Sequence, residues 1–479
     1  MAYSGIKAQL YDAQWVLGDF TSILDFRTVD SVLVDSVPVQ MSTTITVANI
    51  CDEVGNILYC SNGIYIADKD GNRILNGSNL NPCQYTIDNS IIGLNIPQAA
   101  LFIPMPGNLR YYYLFHFSYD TLNSQRPGTM YYSLIDKDGN SGLGEVIAKN
   151  IPILKNVVLR AGGMTACKHA NGRDYWIIMG GSDNNKFYKF LVTRDSIFGP
   201  VVQNIGPPFL LPNDLAYSKF SQDGSKYSTG IGAGPVLIMD FDRCSGMFSG
   251  PQTIFNEAST DPVHHPLSGC TGVEFSPNGQ YLYVSGVTDM NQYDLLSGNI
   301  QDSVEVYRAD STDAALVDEV QLAPNGKLYA DTWNGVGEFI HVVNYPDLKG
   351  DSCDFVWGGQ PTLSINSNNL PNLINYKLGP LIGSGCDTIN TDIRQQTTDD
   401  RLIRIQPNPA NKYAYVEVGM QGDYEMQLLN ETGQLITTKQ TRQVDIFDTE
   451  HLASGVYFIK VIDKRNGSKA LSKRLVVVH

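Results

Sequence analysis

Short apolar runs that end in turn signals repeat along the first part of the chain. Each unit is an apolar strand, a tight turn closing on glycine, and an aromatic-rich strand. One sharp copy reads Phe275-Ser276-Pro277-Asn278-Gly279, followed by Tyr281-Leu282-Tyr283-Val284. The marker glycines lie 47 to 65 residues apart, at Gly55, Gly107, Gly172, Gly224, Gly279 and Gly326. This period predicts one four-stranded blade per repeat, as in a β-propeller.

Residues 1–386 are therefore predicted to form a propeller of six or seven blades. The Ser-Pro-Asn-Gly motif resembles the hairpin sequences of YVTN- and WD40-like propellers, although the Gly-His and Trp-Asp signatures of WD40 repeats are missing. Six copies are visible. We expect the start of the chain, residues 15–26, to complete the last blade by hydrogen bonding to the segment 355–378.

The last eighty residues follow a different pattern, in which single apolar and polar positions alternate. Tyr413, Tyr415 and Glu417 alternate with small or apolar residues, and about seven short strands fit between residues 401 and 479. This alternation predicts an immunoglobulin-like β-sandwich. Residues 387–400 are polar, without apolar periodicity, and are interpreted as a linker. The whole chain is thus predicted to be all-β.

Four motifs occur in order along this tail. They are Pro407-Asn408-Pro409-Ala410, the run leading into Gly433, the strand from Gly455 through Tyr457 to Lys460, and a basic stretch with Lys469, Lys473 and Arg474 before a terminal apolar strand. Proline fixes φ, and the two glycines are expected to supply turn conformations that a Cβ would penalise. A plain sandwich appended to an enzyme is the alternative interpretation.

The four motifs together closely resemble the C-terminal sorting domain of the type IX secretion system of Bacteroidetes. The resemblance implies export through the periplasm to the cell surface or the extracellular space. It implies as partners the outer-membrane translocon and its shuttle or sortase components. It also implies a sorting signal formed by Pro407, Asn408, Pro409, Gly433, Gly455, Tyr457, Lys460, Lys469, Lys473 and Arg474.

Charge and hydropathy restrict the alternatives further. The net charge is −15, and residues 400–479 hold 11 basic and 9 acidic side chains, so the acidic excess lies before them. The acidic part of the chain before residue 400 repels phosphate backbones, which argues against a nucleic-acid partner. The chain has neither an apolar run long enough for a spanning helix nor a signal peptide, so we interpret it as a mature form with an altered start.

Candidate chemistry is sparse in the sequence. Neither a nucleophile elbow, a zinc-protease motif nor a phosphate loop is present, so the sequence predicts no catalytic residue, metal or cofactor. His264 and His265 lie in one loop and are the best catalytic candidates, with a solvated loop as the alternative. Tyrosines at 111–113 and 131–132 could bind sugars or could simply be strand residues. All eight cysteines precede the tail, and both disulfides and buried thiols remain open.

These observations favour an exported, non-enzymatic propeller. Its role would be recognition, adhesion or association with the secretion or gliding machinery, with a glycan or surface-protein ligand. The alternative is a secreted hydrolase or lyase whose site lies at the mouth of the central channel.

Overall fold

The computed structural model describes residues 9–17, 22–28, 31–36, 41–43, 45–120, 127–182, 184–208, 217–230, 235–254, 270–309, 316–332, 337–365, 370–387, 403–418, 422–430, 434–464 and 470–479. It divides into two compact units, Met1–Thr388 and Ile389–His479. Each unit is described by itself below. Within the described residues, no helix is long and apolar enough to cross a bilayer.

The described part of the first unit consists of seven antiparallel blades. Each blade is a meander of three or four strands in chain order. The strands are β1 (Gln14–Leu17), β2 (Ser22–Asp25) and β3 (Leu33–Asp35) in blade 1; β4 (Ala48–Cys51), β5 (Ile57–Ser61) and β6 (Ile66–Asp68) in blade 2; β7 (Ala100–Pro104), β8 (Tyr111–Tyr119), β9 (Pro127–Asp136) and the first part of β10 (Glu145–Lys168) in blade 3; the rest of β10, β11 (Tyr175–Gly181), β12 (Lys186–Val192) and β13 (Ile197–Asn204) in blade 4.

The remaining three blades have four strands each. They are β14 (Ser218–Phe220), β15 (Lys226–Gly230), β16 (Val236–Asp242) and β17 (Met247–Ile254) in blade 5; β18 (Gly272–Phe275), β19 (Tyr281–Gly286), β20 (Asp289–Asp294) and β21 (Ser303–Arg308) in blade 6; β22 (Val317–Leu322), β23 (Leu328–Thr332), β24 (Phe339–Val343) and β25 (Phe355–Pro361) in blade 7. Two short helical turns, α1 (Gln84–Asp88) and α2 (Gly139–Gly142), and one 3-10 turn, Gly350–Cys353, lie between strands.

The first strand of each blade contacts the first strand of the next, so these inner strands surround a central channel. Blade 1 closes the ring against blade 7, where the rings of Trp15 and Phe26 lie 5.8 and 5.5 Å from that of Tyr329. The expectation for the chain start is therefore wrong in detail. Strands β1 to β3 form a sheet of their own, and β25 already completes blade 7 by pairing with β24.

Burial falls from the channel towards the rim of the propeller. Strand β11 is buried along its whole length, because both of its faces are covered by neighbouring blades, whereas the outer strand β13 is largely exposed. All six marker glycines have positive φ, between 68° and 92°, and each lies in the turn after an inner strand. A side chain would be strained in that conformation, so the repeat read from the sequence is confirmed as a turn requirement.

The second unit is a two-sheet sandwich of seven strands within the described residues. One sheet has the order β26 (Ile403–Gln406), β27 (Tyr413–Val418), β30 (Val444–Asp448); the other has the order β29 (Leu435–Thr441), β28 (Tyr424–Leu429), β31 (Gly455–Asp463), β32 (Ala470–Val477). Alternate residues of β27 and β28 point into one apolar core that includes Val416, Met426 and Phe447. The all-β prediction of a propeller followed by a sandwich is confirmed.

Candidate functional site

A strap made of residues 370–387 follows blade 7 and crosses the channel. The backbone N–H of Asn372 donates to Val47 O (2.9 Å), and its side-chain amide donates to Ala100 O (3.0 Å) and Met164 O (3.3 Å). The Tyr376 hydroxyl donates to Phe102 O at 2.8 Å. The Asn372 side chain therefore links blades 3 and 4, and the backbone N–H of the same residue links the strap to blade 2.

The far end of the strap is fixed to blades 4 and 5. Leu381 N donates to Ala170 O at 2.8 Å, and the Arg243 guanidinium donates to Gly379 O at 2.5 Å. A disulfide joins Cys386 to Cys244 with a Cα–Cα distance of 5.7 Å. The other six cysteines are free thiols, so the alternatives left open by the sequence are both realised.

A cavity adjoins the strap. It has a volume of about 290 Å³, is here called the channel cavity, and is lined by the strap and by the inner strands of blade 1 and of blades 4 to 7. Its polar walls include Lys219, Glu274 and Gln321, and its apolar walls include Leu373 and Ile374 of the strap. The volume is at the lower end of the range for small-molecule sites, about 300–1,000 Å³.

Two ionisable groups of the cavity, Lys219 and Glu274, are bonded to neighbouring side chains and to the backbone. Lys219 Nζ lies 3.3 Å from Glu319 Oε1 and donates to Gln321 Oε1 at 2.7 Å. Glu274 accepts the backbone N–H of Phe275 at 2.9 Å and of Leu322 at 3.1 Å. The Glu274 carboxylate therefore ties blade 6 to blade 7.

Burial dominates the electrostatics of these carboxyl groups. It raises the pKa of Glu274 to about 6 and that of Glu319 to about 8, and in both cases the nearby Lys219 charge opposes the shift. Burial also raises the pKa of Asp318 to about 7. Within the described residues, no three His, Cys, Asp or Glu side chains gather as a metal site.

One donor of the channel cavity has no bond. Trp15 lines the cavity and is fully buried, yet its indole Nε1 has no hydrogen-bond partner among the described residues. An unsatisfied buried N–H costs about 1–3 kcal/mol relative to a bonded one. A ligand with an acceptor atom in reach would recover that free energy.

Sequence reasoning missed these channel residues, although the repeat contains their signal. Lys219, Glu274 and Gln321 each stand five residues before a marker glycine, at one equivalent position of three blades. The candidates that the sequence did suggest lie elsewhere. His264 and His265 fall outside the described residues, and Tyr112 and Tyr113 are buried in the blade 3 core.

In the sandwich, the Pro407-Asn408-Pro409-Ala410 motif covers the free edge of the terminal strand β32. Asn408 Oδ1 accepts Val476 N–H at 2.8 Å, and its Nδ2 donates to Arg474 O at 2.9 Å. The backbone of Ala410 continues this pairing with Val476 and Val478. Asn408 and Ala410 thus bond to the edge of β32 where a further strand would otherwise pair. We call these two residues the edge clamp.

The other predicted sorting residues lie along the same strand pair or outside the described part. The Tyr457 hydroxyl donates to Ala453 O at 2.8 Å, Lys460 stands opposite Ser472, and Lys473 Nζ donates to Ile403 O at 3.0 Å. Gly433 and Lys469 are outside the described residues.

Gly455 does not take the conformation expected of it. It is the first residue of β31, pairs with Val477, and lacks positive φ, so the predicted turn role is wrong. A Cβ there would meet its nearest neighbours at 3.9 and 4.0 Å, which is ordinary contact.

Comparisons with known proteins agree with this division. Residues 404–478 match the family model described as a secretion system C-terminal sorting domain. No curated protein matches the chain. Among solved structures, a quinonprotein alcohol dehydrogenase-like protein from Bacteroides thetaiotaomicron is 10% identical, covering 76% of this chain and 78% of its own, with a TM-score of 0.36.

The β-propeller domain of Swd1 from Myceliophteria thermophila is 9% identical over 77% of this chain and 93% of its own, with a TM-score of 0.30. Both likenesses are too distant to inform activity, and the propeller assignment rests on the blade topology. Residues 404–478 are a type IX secretion C-terminal sorting domain, and the protein is a β-propeller that this system exports to the cell surface or the extracellular space.

Proposed function

We propose that the protein is an exported recognition protein, which binds a small polar ligand in the channel cavity without converting it. The observation that carries this proposal is how the cavity's ionisable groups are bonded. Both oxygens of Glu274 accept backbone N–H groups from two blades, and Lys219 is held by Glu319 and Gln321. Groups held in this way present a fixed polar wall.

The cavity is also organised before any ligand arrives. The strap that forms one wall is held by hydrogen bonds to blades 2 to 5 and by the Cys244–Cys386 disulfide. A wall that is already ordered reduces the entropy lost on binding. The Trp15 indole N–H supplies a donor that awaits an acceptor. Together these features support a ligand with hydroxyl or carbonyl oxygens, such as part of a glycan.

A hydrolase or lyase is the second candidate, and one observation favours it. Carboxyl groups with raised pKa values cluster at catalytic sites, and Glu274 and Glu319 both have them. Glu274 lines the cavity, so it would be the general acid in such an enzyme.

One experiment separates the two candidates. The purified full chain would be applied to a glycan array, and each retained glycan would then be incubated with the protein and examined by mass spectrometry. Recognition predicts retained, unaltered glycans and weaker retention by the Gln321→Ala variant. The control Gln301→Ala, on the exposed side of blade 6, should retain them normally. Products that vanish with Glu274→Gln would establish the enzyme instead.

We further propose that the secretion machinery reads the strand pair β31–β32 and its edge clamp. The translocon and its shuttle or sortase components would contact the side chains of Lys460 and Arg474, which are partly exposed, rather than the backbone edge between Arg474 and Val478. This edge is already bonded to Asn408 and Ala410, so strand addition by a partner would first have to displace the clamp.

A further inference from the structure

A second cavity lies beside the turns that follow the inner strands of blades 3 and 4, and the proposed function does not use it. It has a volume of about 310 Å³ and shares no lining residue with the channel cavity. The turn between β7 and β8 forms one wall, with Pro104, Met105 and Leu109. Tyr11 and Lys168 contribute polar groups to the other walls. We call this cavity the blade 3–4 pocket.

Lys168 is a buried cation without an ionic partner. The residue is 6% exposed, and within the described part of the chain its Nζ makes neither a hydrogen bond nor an ion pair. Nζ lies over the Tyr175 ring, 5.6 Å from its centroid. The positive charge of Lys168 is therefore available to an anionic partner.

The charges around Lys168 do not supply that partner. Burial and the nearby Arg243 charge lower the pKa of Lys168 to about 8, which leaves it mostly protonated at neutral pH. Asp174, the nearest carboxylate along the chain, is occupied by two hydrogen bonds from Arg173. Among the described charged groups that line the pocket, Lys168 is thus unpaired, whereas Arg173 is paired with Asp174.

A second unbonded donor belongs to another residue that lines the pocket. Tyr11 lines the pocket and is fully buried, and its hydroxyl has no hydrogen-bond partner among the described residues. Burial, with Glu53 and Asp52 nearby, raises the pKa of this hydroxyl, so it stays protonated and can donate. A cation and a neutral O–H donor beside apolar walls form a complementary surface for one anionic group on an apolar body.

We propose that the blade 3–4 pocket binds a small organic carboxylate. The carboxylate pairs with Lys168 Nζ and accepts the Tyr11 O–H, and the apolar part of the ligand packs on Pro104, Met105 and Leu109. This site is independent of the channel cavity, so its test stands whether or not the channel cavity binds a glycan.

The test is isothermal titration calorimetry of the full chain at neutral pH and low salt, with benzoate, its neutral isostere benzamide, and inorganic phosphate as probes. Benzoate should bind about tenfold more tightly than benzamide, because only benzoate forms the charge-assisted bond. Lys168→Met should abolish that difference, and Tyr11→Phe, which removes a single oxygen, should weaken benzoate about two- to fivefold. Lys155→Met, on an exposed residue, is the matched control and should bind like the unmodified protein.

Three outcomes would overturn the assignment. They are equal affinity for benzoate and benzamide, unchanged benzoate binding by Lys168→Met, and binding of phosphate without benzoate. Thermal unfolding of each variant establishes that it is folded. If Lys168→Met does not fold, Tyr11→Phe decides, and benzoate affinity equal to that of the unmodified protein would then refute the pocket.

Discussion

We predict that the edge clamp stabilises the sandwich by an amount that can be measured. Replacing Asn408 by alanine removes both side-chain bonds to the terminal strand, those with Val476 N–H and Arg474 O. Each such bond contributes about 0.5–1.5 kcal/mol net. Asn408 is exposed, so water replaces part of the loss, and the expected destabilisation of the sandwich is about 1–2 kcal/mol. For a unit of this size, that lowers its melting temperature by roughly 4–16 °C.

The assay is hydrogen exchange of the full chain followed by mass spectrometry of C-terminal peptides. In the Asn408→Ala variant the Val476 amide loses its acceptor, so the peptide that contains it should exchange faster. Asn430→Ala is the matched control, because within the described residues the Asn430 side chain also makes two hydrogen bonds, both with Gln434, which is not part of β32. Unchanged exchange of the terminal peptide in Asn408→Ala, or an equal increase in Asn430→Ala, would refute the clamp.

Three further predictions concern pH, redox state and export. The raised pKa of Glu274 means that its protonated form favours folding, so the unmodified protein should lose stability as pH rises from about 4.5 past 6. The Glu274→Gln variant should flatten that part of a melting-temperature profile. Parallel profiles of the two proteins would contradict the raised pKa of Glu274. Cys244→Ser should lower the free energy of unfolding of the propeller by about 2–5 kcal/mol in denaturant unfolding, and reductant should then no longer change that free energy. A reductant effect that persists in this variant would exclude the strap disulfide as its cause. Reversing the charges of Lys473 and Arg474 to glutamate should retain the protein in the periplasm in cell fractionation, with Lys464→Glu as the exposed control; normal surface delivery of the double variant would remove these residues from the signal.

Local rules predicted most of the fold. The marker glycines could be found because a positive φ after each inner strand excludes side chains, and the alternation in β27 could be found because one face of that strand is buried. Blade 1 was misassigned because its β1–β2 connection carries no copy of the repeat that marks the other blades. Gly455 was misread since glycine is common in turns, yet here it opens a strand.

The sites were harder to predict, because they depend on contacts between distant residues. Nothing local distinguishes Lys168 from a surface lysine; its burial follows from the packing of blades 3 and 4. The strap's effect on the channel depends on Asn372 meeting Ala100 and Met164, more than two hundred residues away in sequence. The position five residues before each marker glycine becomes informative only once the blades are known to surround a common axis.

Strand β10 has a practical consequence for anyone who wishes to redesign this propeller. Its first part pairs with β9 in blade 3 and its last part with β11 in blade 4, so one continuous strand of 24 residues is divided between the two blades. These blades should exchange into a chimaera only as a pair, and a circular permutant opened within β10 would disrupt two sheets at once. The segment between β21 and β22, which connects two blades with separate strands, is the better place for new termini.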